Sequence, residues 1–141
     1  MASRSDLITS TSKQLELYSD ITRNLDVNPM TKQLARLVNE AELKDTVANL
    51  ILIDQYEVPY YPLVGSQIQK LLFEIVDNIT ATTLTNLIQQ TIVNNASDRV
   101  NLVSVVVNAF PDQDSYDVTV TFTAKNSTKN IVFQTILARV R

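Results

Sequence analysis

The chain has one glycine, no histidine, no cysteine and no tryptophan in 141 residues. Average usage would supply roughly ten glycines at this length. A dinucleotide-binding turn needs several spaced glycines, and a phosphate-binding P-loop needs a pair of them plus a lysine. Gly65 stands alone and can serve neither. The same shortage excludes the tightest hairpin turns, which rely on Asn-Gly or Asp-Gly. Without histidine or cysteine there is no Ser-His-Asp triad, Cys-His pair, zinc finger, thioredoxin motif or haem attachment. Carboxylates remain, and they alone could hold a hard cation or run a two-carboxylate hydrolysis.

Charge is also scarce. Asp, Glu, Lys and Arg make up 19% of the chain, against about a quarter in ordinary domains. Asn, Gln, Ser and Thr fill the gap. Interface cores are depleted in charge, so this composition leans toward a protein-binding surface, with plain compositional bias as the simpler alternative. The net charge of −3 gives no bulk attraction to nucleic acid or anionic lipid. Apolar residues at 45% suit one globular domain with a real core. The longest apolar stretches, around Leu50-Ile51-Leu52-Ile53 and Val105-Val106-Val107, are too short to span a bilayer. No apolar signal core opens the sequence, so no export is expected.

Residues 1–30 read as a polar arm, with one short helix from a Ser5 cap, and residues 31–141 as the domain. Residues 33–38 suit a short strand. Asn39-Glu40-Ala41-Glu42 has the form of a capping box. Leu43, Val47, Leu50 and Ile51 then fall on one face of a helix over 40–53, with Glu40 and Lys44 as a favourable i,i+4 pair. In the connector that follows, Pro59 and Pro62 bias Val58 and Tyr61 toward extended geometry. Gly65 can take a left-handed turn into the next helix. Ile68, Leu71, Leu72, Ile75 and Val76 form a second helical stripe. Thr80 is placed to cap a third helix carrying Leu84, Leu87, Ile88, Thr91 and Ile92, ending near Asn94-Asn95.

The period then changes to two. Residues 100–110 read as a strand buried on both faces, 111–115 as a turn, and 116–124 as a half-buried strand of alternating apolar and polar residues. A second turn over 125–129 leads to a last strand over 131–140. The fold class is α+β: three helices followed by an antiparallel C-terminal β-meander, with a short N-terminal strand.

Several groups could carry chemistry. Asp112, Asp114 and Asp117 could ligate calcium, but the glycine and glutamate of an EF-hand loop are missing, and turn residues solvating a hairpin are the simpler reading. Glu74 and Asp77, with Glu57 nearby, could serve a glycosidase, but nothing marks either as buried, and ordinary surface acids are the simpler reading. Tyr56, Tyr60 and Tyr61 could stack bases or sugars, yet no basic residue interleaves them before Lys70, which favours core or interface packing. From Val118 onward every ionisable side chain is basic: Lys125, Lys129, Arg139 and Arg141. A strand at a sheet edge can recruit a further strand. The last strand is either such a template or an ordinary strand kept soluble by its arginines.

The elements Asn39-Glu40-Ala41, Val47-Ala48-Asn49-Leu50-Ile51-Leu52, Val58-Pro59-Tyr60-Tyr61-Pro62-Leu63-Val64-Gly65-Ser66 and Leu71-Leu72-Phe73-Glu74 resemble those of a known family. These are the small baseplate-wedge, sheath-initiator proteins of contractile phage tails, often catalogued as lysozyme-like, with TssE of type VI secretion in the same group. Tyr18-Ser19-Asp20-Ile21 resembles their opening, so the similarity runs over 18–141. The family's Glu-Arg-Pro-Phe appears here as Glu57-Val58-Pro59-Tyr60, without the arginine. Its Glu-Pro-Arg appears as Ser97-Asp98-Arg99, where Arg99 matches.

The resemblance implies a non-enzymatic assembly protein of the virion tail baseplate, made in the bacterial cytoplasm, with no cofactor. Its implied partners are the baseplate wedge core proteins, the tail sheath protein and central hub or tube-proximal proteins, and neither nucleic acid nor membrane. The implied wedge interface is Pro62, Gly65, Phe73, Glu74, Asp98 and Arg99. The implied sheath interface is Ile131, Phe133, Thr135, Leu137, Arg139 and Arg141. The alternatives are a small muramidase using Glu74 or Glu57 with an aspartate, and a TssE-like secretion component.

Overall fold

The C-terminal half of the chain builds a three-stranded sheet, and the helices cover one of its faces. The computed structural model describes residues 18–140; the Ser5 helix falls outside them. In chain order the elements are β1 (Ser19–Ile21), β2 (Arg36–Val38), α1 (Glu40–Leu52), α2 (Ile68–Leu71), α3 (Asn78–Ala96), β3 (Val100–Phe110), β4 (Ser115–Ala124) and β5 (Asn130–Ala138). β1 and β2 form a small antiparallel hairpin, so a segment of the expected arm pairs with the start of the domain. β3, β4 and β5 form the meander, all antiparallel, with β4 in the centre. The α+β class and the order of helices before a C-terminal meander agree with the sequence pattern, with a two-stranded N-terminal hairpin where one short strand was expected.

The alternation of β4 sets the core. Tyr116, Val118, Val120 and Phe122 are each 0% exposed. Opposite them α3 presents Ala81, Leu84, Ile88, Ile92 and Ala96, and α1 presents Leu43, Val47, Leu50 and Ile51. Truncating Phe122 to Ala would cost about 3–5 kcal/mol by loss of buried area and creation of a cavity. α3 is rich in Thr, Asn and Gln, which are weak helix formers. Thr82, Thr83, Thr85 and Thr91 send their hydroxyls back to carbonyls four residues earlier. Packing of its inner face, not intrinsic propensity, holds this helix.

Four local expectations need correction. α3 begins at Asn78 and its cap is Asp77, whose Oδ1 accepts the Thr80 N–H at 2.7 Å; Thr80 itself is buried inside the helix. The second stripe makes only one helical turn, because non-local partners take the backbone groups that would extend it. The Leu72 carbonyl accepts Val140 N–H, and the Ile75 carbonyl accepts the Tyr116 hydroxyl. The Asn39 side chain makes no capping bond, and the Glu42 carboxylate turns elsewhere. Finally, β3 is not buried on both faces. It is an edge strand whose outer face is uncovered, leaving Val103 and Val106 about half exposed.

The glycine shortage reappears as backbone strain. Leu25, Lys32, Asn39, Tyr56, Tyr60 and Asp114 all take positive φ, a region that costs a non-glycine residue about 1–2 kcal/mol. The β3–β4 connection is a 3-10 turn at Pro111–Gln113 closed by Asp114 at φ 47, not a two-residue hairpin.

Candidate functional site

Three surfaces stand out, and the connector after α1 builds the first. Its chain returns beside the helix it has just left. Ser66 N–H donates to the Ile53 carbonyl at 2.8 Å, the Ser66 hydroxyl donates to the Ile51 carbonyl, and Gln55 N–H donates to the Ser66 carbonyl. This close approach requires Gly65, which is buried at φ +114. A Cβ there would lie 2.5 Å from the Ile53 oxygen. Beside this turn lies a cleft of about 490 Å³ between the connector and the C-terminal half of α3. Gln55, Gln67, Gln90, Asn94 and Asn95 line it, with Leu63 and Leu87. Pro62 is exposed at the loop surface.

The second surface is an ion pair at the far end of α3. Glu42 is 2% exposed, and its Oε1 accepts Arg99 Nη1 at 3.0 Å and the Thr46 hydroxyl at 2.8 Å. The other carboxylate oxygen of Glu42 is buried without a hydrogen-bond partner. Arg99 keeps nearly half of its side chain in solvent. One side of the guanidinium is thus held by a buried carboxylate while the rest faces outward. Asp98 beside it is exposed. Arg99 is legible from the sequence and Glu42 is not, because its partner is 57 residues away and its spacing from Asn39 has the form of a capping box.

The third surface is β5. Its register with β4 is unbroken from Ser115↔Ala138 to Thr123↔Asn130. Among the described residues no strand pairs with its outer edge. The other edge strand, β3, carries a bulge between Leu102 and Ser104. Bulges blunt edges, and β5 has none. Its end is anchored by Arg139 N–H to the Asp114 carbonyl and Val140 N–H to the Leu72 carbonyl.

The implied interface residues separate by position. Ile131, Phe133, Thr135 and Leu137 occupy the core-facing row of β5, with Ile131 and Leu137 buried. Arg139 reaches to 3.7 Å from Asp114, and Arg141 lies outside the described residues. The outward row is Val132, Gln134, Ile136 and Ala138, which the sequence alone could not phase. Phe73 and Glu74 precede α3 while Asp98 and Arg99 follow it. The 19 residues of the helix hold the two pairs about 28 Å apart, so the six implied wedge residues do not form one patch.

The catalytic candidates fare differently. Glu74 and Asp77 line one shallow depression with Phe73, Ile75 and Thr80. Asp77 is committed to capping α3, and the Thr80 backbone N–H that it accepts holds its carboxyl below the usual aspartate range. Glu57 Oε2 accepts the Asp54 N–H. Burial pushes the Tyr116 hydroxyl up; that group belongs to the core. Among the described residues no three His, Cys, Asp or Glu side chains gather in a way that could hold a metal. No helix among them is long and apolar enough to cross a membrane.

These features define a small α+β domain whose distinctive parts are surfaces and edges. No family model matches the chain, and no curated protein matches it. Among solved structures it is similar to a protein from Geobacter sulfurreducens described as a candidate tail lysozyme. The TM-score is 0.66, with 74% of this chain and 96% of that chain covered at 13% sequence identity. The two proteins share a fold.

Proposed function

We propose that the protein is a structural, non-enzymatic component of a contractile tail baseplate. In this reading it docks on the wedge core through the connector around Pro62 and Gly65 and through the Asp98-Arg99 loop. Its last strand then starts the tail sheath by main-chain pairing. Its partners would be the wedge core proteins, the sheath protein and hub or tube-proximal proteins, and its site the virion tail. The sequence resemblance and the fold shared with a protein described as belonging to a tail support this reading.

The observation that carries it is the state of β5. A nine-residue edge strand with an unbroken register, Ile136 72% exposed and Val132 47% exposed, and no acidic residue from Val118 on invites strand addition. Soluble proteins blunt such edges unless a partner uses them. Deleting 131–141 would remove buried Ile131 and Leu137 and unfold the domain, so surface variants are the better test. Val132→Lys with Ile136→Lys should leave baseplate incorporation intact and stop sheath nucleation. Normal sheath on such baseplates would refute the mechanism.

The depression shared by Glu74 and Asp77 favours one rival, a small muramidase. Its weakness is Asp77, which is ionised at neutral pH and tied to the helix. Peptidoglycan release by pure protein, lost in Glu74→Gln, would establish that rival. A TssE-like role in a secretion system uses the same surfaces, and genome neighbours distinguish it.

A further inference from the structure

The loop between α1 and Gly65 makes the same costly choice twice. Residues 54–57 form a turn closed by Glu57 N–H to the Asp54 carbonyl, and residues 58–61 form one closed by Tyr61 N–H to the Val58 carbonyl. The third position of the first turn is Tyr56 at φ 72, and that of the second is Tyr60 at φ 70. Positive φ at the third position is the signature of a type II turn, and Pro59 occupies the second position where that turn favours proline. Glycine is the residue such turns favour there, and a bulky residue is an outlier.

The strain does nothing for the core. Tyr56 is 75% exposed and Tyr60 96% exposed, and neighbouring Tyr61 and Leu63 are 67% and 69% exposed. Strain kept where it stabilises nothing points to a function. The loop is also fastened, by Tyr56 N–H to the Pro62 carbonyl and by Asp54 N–H to Glu57. It therefore presents its rings in a fixed arrangement, which lowers the entropy cost of binding.

Leu63 and Gln55 of this loop line the cleft against α3 as well, and they are the chain neighbours of Pro62 and Tyr56, so one loop carries both the rings and a wall of the cleft. No charged side chain lines the cleft. The loop's own ionisable groups besides the tyrosines are the acids Asp54 and Glu57. That surface offers nothing to phosphate. Gln67 Nε2 donates to Gln55 Oε1 at 2.7 Å and Asn95 Nδ2 to the Thr91 carbonyl at 2.8 Å, which leaves the Gln90 and Asn94 carboxamides of the lining to supply paired donors and acceptors, as a peptide main chain does. A sugar held in the cleft would meet no aromatic face there, since the tyrosines stand outside its lining. Tyrosine is enriched among the residues that anchor protein interfaces. At about 150–250 Å² per aromatic ring, three tyrosines supply a large part of the ~800 Å² that a specific interface buries per partner.

We propose that the tyrosine loop and the amide-lined cleft form one docking site for an uncharged segment of a partner polypeptide. The segment's main chain would pair with the Gln90 and Asn94 carboxamides, and its apolar side chains would pack on Tyr56, Tyr60 and Leu63. The proposal rests on the wedge-docking reading, since Pro62 and Gly65 belong to the same loop.

The test uses full-length protein in tail particles from cells lacking the native copy. Tyr56→Gly with Tyr60→Gly should raise Tm by about 2–5 °C, because released strain outweighs the extra freedom of glycine in the unfolded chain. The same variant should enter particles about tenfold less or worse. With p-benzoylphenylalanine in place of Tyr60, irradiated particles should show an adduct to a second protein. Normal incorporation of the glycine variant with no adduct would overturn the docking site and leave the baseplate reading standing. A lowered Tm would overturn the argument that the rings are kept for binding. Tyrosine-dependent retention on purified peptidoglycan would replace the polypeptide by a glycan. Absence of the wild-type protein from particles would overturn both readings.

Discussion

Replacing Gly65 by Ala is a severe change for a single methyl group. The backbone at φ +114 is one that L side chains rarely adopt, and the new Cβ would stand 2.5 Å from the Ile53 oxygen and 3.0 Å from the Asp54 carbonyl carbon and oxygen. Those atoms are backbone and cannot swing aside as a side chain would. A conformation reserved for glycine costs about 1–3 kcal/mol. Moving the Ile53 carbonyl weakens its bond from Ser66 N–H, about 0.5–1.5 kcal/mol. The neighbouring buried bond from the Ser66 hydroxyl to the Ile51 carbonyl is exposed to the same shift, at about 1–3 kcal/mol if left unmade. Against this, Ala reduces the freedom of the unfolded chain by about 0.5–1 kcal/mol. The net loss is about 2–7 kcal/mol, a large part of the ~5–15 kcal/mol that holds a domain together. Urea unfolding followed by circular dichroism measures it directly, and Gly65→Val should be worse. A loss below about 1 kcal/mol for Gly65→Ala would refute the claim that this turn excludes a side chain.

Other predictions follow from the same geometry. Arg99→Met should destabilise the fold by about 1–3 kcal/mol, a buried-pair cost discounted for the half-exposed arginine; adding Glu42→Leu should restore most of it, as read by a double-mutant cycle in urea. Asp77 has a lowered folded-state pKa, so its contribution is complete above its unfolded value and disappears as pH falls through the folded value. Asp77→Asn keeps a good cap and should flatten the fall in Tm between neutral and acid pH, and an unchanged acid limb would contradict the capping role. Phe122→Ala should lose the few kcal/mol given above, and a near-neutral outcome would misplace the core.

The strands were the most legible part of the sequence because their signal is local. Alternation from Tyr116 to Ala124 carries over residue for residue into the buried row of β4. The stripe Leu43, Val47, Leu50, Ile51 likewise appears as the buried face of α1. What stayed hidden depends on distant partners. α2 is short because Val140 and Tyr116, far along the chain, take the carbonyls of Leu72 and Ile75. Glu42 looked like a cap because nothing near it announces Arg99. β3 looked buried on both sides because Val105-Val106-Val107 shows no alternation, whereas its outer face simply carries exposed valine. Of the candidate sites, Gly65 was legible from its solitude. The left-handed Tyr56 and Tyr60 were not, since nothing in a tyrosine foretells positive φ.

The most direct test of the central claim is an electron-microscopy map of the contractile tail purified with this protein in place. Density is expected for a sheath strand hydrogen-bonded along the outer edge of β5, continuing the sheet beyond Asn130–Ala138. A map in which β5 faces solvent, or in which the sheath contacts this protein elsewhere, would contradict it.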